Sequence, residues 1–210
     1  MRENEITDLT VINMSERDAE FRDGMPFLGG ATWIDLLNST FSPDGGTTRL
    51  DFLGEPAAFE CWLANAEIAR PRDGNAEAAA VSKLRDALRP AFDLLAAAKP
   101  LSPETLDFVN AALAEAPFVR RLAARGNGYA LEEAPAGATS NVLAAIAADF
   151  ARFLIDFEPR RLKHCDNPAC TMVFYDRGKN IRRRWCSSAV CGNRDKVANY
   201  RARKRAAPPS

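Results

Sequence analysis

The chain has 210 residues, with 28 Lys or Arg against 28 Asp or Glu and therefore no formal net charge. That length holds one ordinary domain, or one domain with a small module attached. Charge distribution favours the second: residues 160–205 carry fourteen Lys or Arg against three Asp, a net of +11, which leaves −11 for the rest. A basic segment joined to an acidic body is a pointer to nucleic-acid binding.

The first residues, Met1-Arg2-Glu3-Asn4-Glu5 with Asp8 close behind, have neither the basic start nor the apolar stretch of a secretory signal. The longest apolar run, Val142 to Phe157, is broken by Asp149, Arg152 and Asp156 and is too short to span a bilayer. These features predict a cytoplasmic protein without membrane association. Residues 1–25 form a lead segment, 26–159 a mainly helical body, 160–205 a basic module and 206–210 a tail.

Within the body, Thr47 to Phe52 reads as a strand and Glu55 to Ala66 as a helix. Cys61, beside Trp62, is expected to be a small buried hydrophobe. From Asn75 to Ala98, Val81, Leu84, Leu88, Phe92 and Leu95 recur at the spacing of one helix face. Ser102 caps a further helix with Pro103 in its first turn, and Leu106, Val109 and Leu113 are its predicted inward side. Phe118 to Ala123 and Tyr129 to Glu132 form a hairpin around Gly126-Asn127-Gly128. Ser140 to Phe157 is the predicted central core helix, with Val142, Leu143, Ile146, Phe150, Phe153, Leu154 and Phe157 on one stripe. Glu158-Pro159 ends it.

The body shows no enzyme site. The chain's one imidazole, His164, lies outside it, so no Ser-His-Asp or Cys-His arrangement can be assembled there. Gly29-Gly30 and Gly45-Gly46 are isolated pairs, read as turns rather than phosphate cradles.

In the basic module, Cys165 and Cys170 form one pair and Cys186 and Cys191 another, each enclosing four residues, with fifteen residues between the pairs. Two short loops, each giving two thiolates, suit a tetrahedral Zn2+. The alternatives are two disulfides, which need an oxidising compartment, or a redox switch. Thr171 to Tyr175, a turn at Asp176 to Asn180 and a returning Ile181 to Trp185 predict a hairpin. Ser187 or Ser188 can cap the start of a helix, and Asp195 to Arg205 continues as a basic one. Knuckle, hairpin and helix around one zinc is the arrangement of treble-clef fingers, and the fold class is α+β, mainly α.

In the last helix, Val197 and Tyr200 are expected to pack back on the hairpin. The candidate nucleic-acid contacts are Arg182, Arg184, Asn193, Arg194, Arg201, Lys204 and Arg205, which offer guanidinium, ammonium and amide groups to phosphates and base edges. Alternation sends Arg183 to the face opposite its neighbours. A solvated basic tail around a structural zinc is the plainer alternative. Phe174, Tyr175 and Trp185, if exposed, would stack single-stranded bases and favour RNA.

Cys191-Gly192-Asn193-Arg194, with Trp185-Cys186 before it and Lys196 and Tyr200-Arg201 after, resembles the signature of bacterial CGNR-type zinc fingers. Upstream, Phe27-Leu28-Gly29-Gly30 followed by Trp33-Ile34-Asp35-Leu36-Leu37-Asn38-Ser39-Thr40 resembles the opening of the ABATE domain, with Ile34, Leu36 and Ser39 in place of the commoner Leu, Phe and Thr. The resemblance implies a stress-induced transcription regulator, with the four cysteines as zinc ligands and the finger as the DNA-binding part. Gly192 would let the chain turn tightly after the ligand, and Asn193 would cap the helix that follows. DNA is the expected partner, with RNA or a protein as the alternative. A homodimer and an unidentified small-molecule effector of the N-terminal domain complete the expectation, and the two modules are expected to keep separate cores.

Overall fold

The computed structural model describes residues 20–42, 49–68, 74–115, 118–135 and 141–206. Two short hairpins flank the first helix: β1 (Phe21–Arg22) with β2 (Met25–Pro26), then, after α1 (Thr32–Leu37), β3 (Thr40–Phe41) with β4 (Leu50–Asp51). Four helices and a ribbon follow: α2 (Pro56–Asn65), α3 (Gly74–Ala96), α4 (Pro103–Ala114), β5 (Phe118–Arg125), β6 (Gly128–Pro135) and α5 (Val142–Asp156). The C-terminal module contains β7 (Leu162–His164), β8 (Val173–Tyr175) and α6 (Asn193–Ala206). Among the described residues every sheet is a two-stranded antiparallel pair.

The α5 stripe lies in the core as expected, and beside it at the centre lies α1. Its six residues are apolar almost all round, and Trp33, Ile34, Leu36 and Leu37 are fully buried between α3, α5 and β8. A short helix without a polar face is stable only inside a core, where each large side chain contributes about 2 kcal/mol. Its N-terminus is capped from outside: Trp33 N–H donates to Asp149 Oδ2 on α5 at 2.9 Å. The α5 helix is amphipathic instead, with Val142, Ile146 and Phe150 inside and Ile155 in solvent. Asn141 caps it by accepting from Ala144 N–H.

The α3 stripe is as expected, with Val81, Leu84, Leu88, Phe92 and Leu95 all buried. Ser102 accepts from Thr105 N–H and caps α4. The inward face of α4 is turned from the expected one: Thr105, Val109 and Ala112 are buried, Leu113 is partly so, and Leu106 is exposed. Cys61 is half-buried beside Asp23 rather than sealed in the core. The expected strand at 47–52 is observed over Leu50–Asp51; its first residues and the Gly45-Gly46 pair lie outside the described residues. The β5–β6 ribbon turns through Gly126-Asn127, with Gly126 at φ 55° as the left-handed residue that such a tight turn requires.

The expected hairpin of the C-terminal module is paired differently. β8 pairs with β7, Leu162 opposite Tyr175 and His164 opposite Val173, so the two strands flank the first cysteine pair. Residues 181–185 return as irregular chain, because buried Asp176 gathers this segment: it accepts from Gly178 N–H, Arg183 N–H and the Lys163 ammonium. Nor are the cores separate. Leu162 and Val173 belong to the core of the body, while Leu28 packs with Phe174, Met172 and three of the paired cysteines.

Candidate metal centre and basic face

The junction of body and C-terminal module is made largely of backbone groups. Asn38 sits fully buried at the end of α1; its amide donates to Val173 O at 2.9 Å and accepts from Val173 N–H at 3.0 Å. Tyr175 N–H donates to Gly29 O, and the Arg183 guanidinium donates to Leu28 O. Gly29 cannot be larger, since a Cβ there would lie 2.6 Å from the Ile34 side chain. Its N–H donates to buried Asp35 at 2.7 Å. Burial pushes the Asp35 carboxyl up to about 7, against the pull of that amide.

On this platform the two cysteine pairs meet. Cys165 follows β7 directly, Cys170 closes the knuckle, and Cys186 and Cys191 come from either side of Ser187, the residue that opens a π-helical turn, Ser188–Gly192, running straight into α6. Their four sulfurs all lie within 4.8 Å of one another. Cys170 and Cys186 Sγ are 3.7 Å apart, and Cys186 and Cys191 Sγ 3.6 Å. Thiolates at the corners of a tetrahedron, about 2.3 Å from a central Zn2+, would stand about 3.8 Å apart. The observed spacing therefore fits one zinc ion. No disulfide joins any of the five cysteines. Cys186 N–H and the Asn167 amide donate to Cys165 Sγ and Cys191 Sγ, which stabilises thiolates. Hydrogen bonds from Cys170, Cys186 and Cys191 hold the Cys165 thiol well below its usual range. Four sulfur ligands leave no open position for water or substrate, so such a zinc is structural.

His164 is not part of this set. Its exposed ring meets Asp93 Oδ1 at 2.8 Å and stands edge-on to Phe92. Ser187 caps the turn by accepting from Val190 N–H. Asn193 does not cap: it continues the helix from the π-turn with its side chain in solvent. Gly192 likewise lies within the helical path beside Trp185, and a Cβ there would sit 3.4 Å from that ring, an ordinary van der Waals contact.

The family model of ABATE, described as "putative stress-induced transcription regulator", matches residues 30–156, more than half of the chain. The chain belongs to the ABATE family. A CGNR zinc-finger model matches residues 161–204 and so covers all four cysteines of the metal centre. Neither description is that of an enzyme family. No curated protein matches this ABATE chain. Among its described residues no helix is long and apolar enough to cross a membrane.

The residues expected to touch nucleic acid occupy two surfaces. Arg182 and Arg184 are exposed on the returning segment, whereas Arg183 turns inward and lies 4.2 Å over the buried Phe174 ring. Arg183 is thus separated from its neighbours as expected, though along irregular chain and not a strand. Arg184 is already engaged, ion-paired with Asp166 at 2.7 Å and lying over Trp185. Asn193, Arg194, Arg201, Lys204 and Arg205 are all exposed on α6. At about 100° per residue, Arg194, Arg201 and Arg205 fall within an arc of about 40°, with Lys204 to one side. Val197 and Tyr200 do not pack on the hairpin; they are exposed as well. Two apolar side chains on so basic a helix are too few to hold it down.

The pair that braces this centre, Asp176 and Lys163, was not foreseen from sequence. Asp176 is 1% exposed, and despite the cost of burial the Lys163 ammonium and the amides of Arg183 and Gly178 hold its carboxyl below the usual range. Lys163 also donates to Ile181 O and Arg183 O. An Asp in a turn-like run gave no signal that it would be buried.

Proposed function

We propose that the chain is a cytoplasmic DNA-binding regulator, in which a treble-clef-like finger at 160–205 contacts duplex DNA and the domain at 26–159 senses a ligand or dimerises. The carrying observation is α6: six Lys or Arg from Arg194 to Arg205 stand in solvent, and none has a carboxylate within ion-pair distance among the described residues. A helix of about 10 Å diameter fits the major groove, and unmatched cations along it suit phosphates on its rims. RNA loses support from the rings that would have to stack on bases. Phe174 is fully buried, Tyr175 is packed against Phe153 with its hydroxyl accepting from Glu158 N–H, and Trp185 is covered by Arg184.

One finger of this size would bury about 600–1,000 Å² of protein surface, which favours a dimer for specific recognition. Fluorescence anisotropy with duplex DNA at low salt tests the reading. Changing Arg194, Arg201 and Arg205 together to Ala should weaken binding and flatten the log–log salt dependence by about 0.9 for each phosphate no longer neutralised. Unchanged affinity and slope would remove α6 as the binding surface. Preference for single-stranded RNA over duplex DNA would replace this reading with the RNA one.

A further inference from the structure

Between α3 and the zinc knuckle opens a cleft of about 540 Å³, formed on one side by Arg85, Asp86 and Arg89 and on the other by His164 and Thr171, with Arg49, Ser42 and Phe41 at its rim. Its size is that of a site for a small metabolite. Its charges are unevenly satisfied. Arg85 is committed, bidentate to Asp51 at 2.7 Å and bonded to Ser39 Oγ, with Asp86 at 3.8 Å. Arg89 and Arg49 have no carboxylate within ion-pair distance among the described residues. Asp93, one turn along from Arg89, is turned onto His164. Arg89 is half-buried, with one N–H bonded to Leu37 O. Burial, then the charge of Arg85 and, more weakly, that of Arg49, lower its proton affinity against the opposing charges of Asp93 and Asp86. A partly desolvated guanidinium beside two others is destabilised until an anion joins it.

We propose that this cleft binds a small phosphorylated metabolite, its phosphate held by Arg89 and Arg49 with hydroxyls from Ser42 and Thr171, and its organic part against Phe41. Guanidinium forks match phosphate oxygens, and an aromatic rim with a cavity several times the size of a phosphate leaves room for the rest of the molecule. The assignment rests on the sensing half of the proposed function and gives that function its ligand class. Its position carries the regulation: His164 and Thr171 adjoin the ligands Cys165 and Cys170, so an occupant touches the body and the zinc knuckle at once.

The test uses the full zinc-loaded chain without DNA and titrates inorganic phosphate by calorimetry, with chloride at equal ionic strength as reference. Saturable binding is expected. Arg89→Gln should weaken it about tenfold or more, as removal of one charge-assisted hydrogen bond does. Arg49→Gln, at an exposed position where folding is not at risk, should weaken it several-fold, and Arg205→Gln on α6 should leave it unchanged. The proposal is overturned by absence of saturation up to about 50 mM phosphate, far weaker than a built site would give, or by equal affinity in wild type, Arg49→Gln and Arg89→Gln. It is also overturned if Arg49→Gln weakens duplex DNA binding in phosphate-free buffer as much as the α6 changes do, since the cleft would then be part of the DNA surface. The α6 variants report on DNA and the cleft variants on phosphate, so either reading can fail without the other.

Discussion

Two elements of this molecule stand out into solvent, and they solve the problem of exposure in opposite ways. The β5–β6 ribbon neutralises its own charge: Arg121 and Arg125 both reach Glu132, at 3.0 and 3.4 Å. It leaves apolar side chains uncovered, with Leu122 directly opposite Leu131 and both about two-thirds exposed. The α6 helix leaves its cations unmatched, and its one acidic residue, Asp195, accepts from Asn199. Charge matched within an element serves that element. Charge left unmatched is available to a polyanion, and the difference marks α6, not the ribbon, as the electrostatic surface.

The sharpest way to separate the two elements is to remove the metal. Structural zinc supplies about 10 kcal/mol or more in small modules, so chelation or Cys186→Ser should melt the knuckle and release α6. Because Leu162 and Val173 are also in the body's core, the melting temperature of the body should fall as well, while amide protection in the ribbon persists. A body with unchanged melting temperature would contradict the shared core.

A smaller effect comes from Asp35. Its folded carboxyl titrates near 7, above the ordinary value of 3.8, so its contribution to stability is full below about pH 4 and is lost as pH rises through 7. Over that window the difference amounts to roughly 4 kcal/mol. Asp35→Asn should flatten the urea-midpoint profile between pH 4 and 7; a profile as steep as wild type would place the titration elsewhere. Asn38→Ala should cost about 3 kcal/mol by stranding the N–H and C=O of Val173. Exchange should accelerate at β8 and the base of α6 but not in the ribbon.

The smallest expected effects are on the projecting surfaces themselves. Arg201→Ala on α6 and Leu122→Ser on the ribbon should each change stability by less than about 0.5 kcal/mol, as exposed positions do. Only the first should alter DNA affinity. If the Leu122 change does so equally, the contrast between the two surfaces fails.

The metal centre was legible because thiolate spacing is a local signal, and α3 and α5 because their apolar period runs for several turns. The α1 helix was not legible as a helix: six residues, buried all round, have no periodicity to show. Strand propensity identified Val173–Tyr175 but not its partner, since propensity says nothing about which of two flanking segments it meets. The deciding residue was Asp176, whose three donors fold residues 178–183 into irregular chain. On α6 the apolar residues Val197 and Tyr200 were in view, but whether two such side chains find a surface depends on where the π-turn aims the helix. The Gly-Gly and Asp-Leu-Leu-Asn-Ser stretches signalled a family, while their physical task emerged only with the fold. Gly29 and Asn38 grip β8, and Ser39 holds the arginine that pairs with Asp51.

That grip has a consequence for how the protein comes into being. Asn38 and Val173 lie 135 positions apart. On the ribosome, α1 is therefore made long before the strand that satisfies its terminal amide, and the nascent body must wait with that polar group and part of its apolar surface open. Such long-range closure is slow and leaves intermediates prone to aggregation. Capture of zinc by the last-made cysteines is then a late event that helps to seal a helix made early.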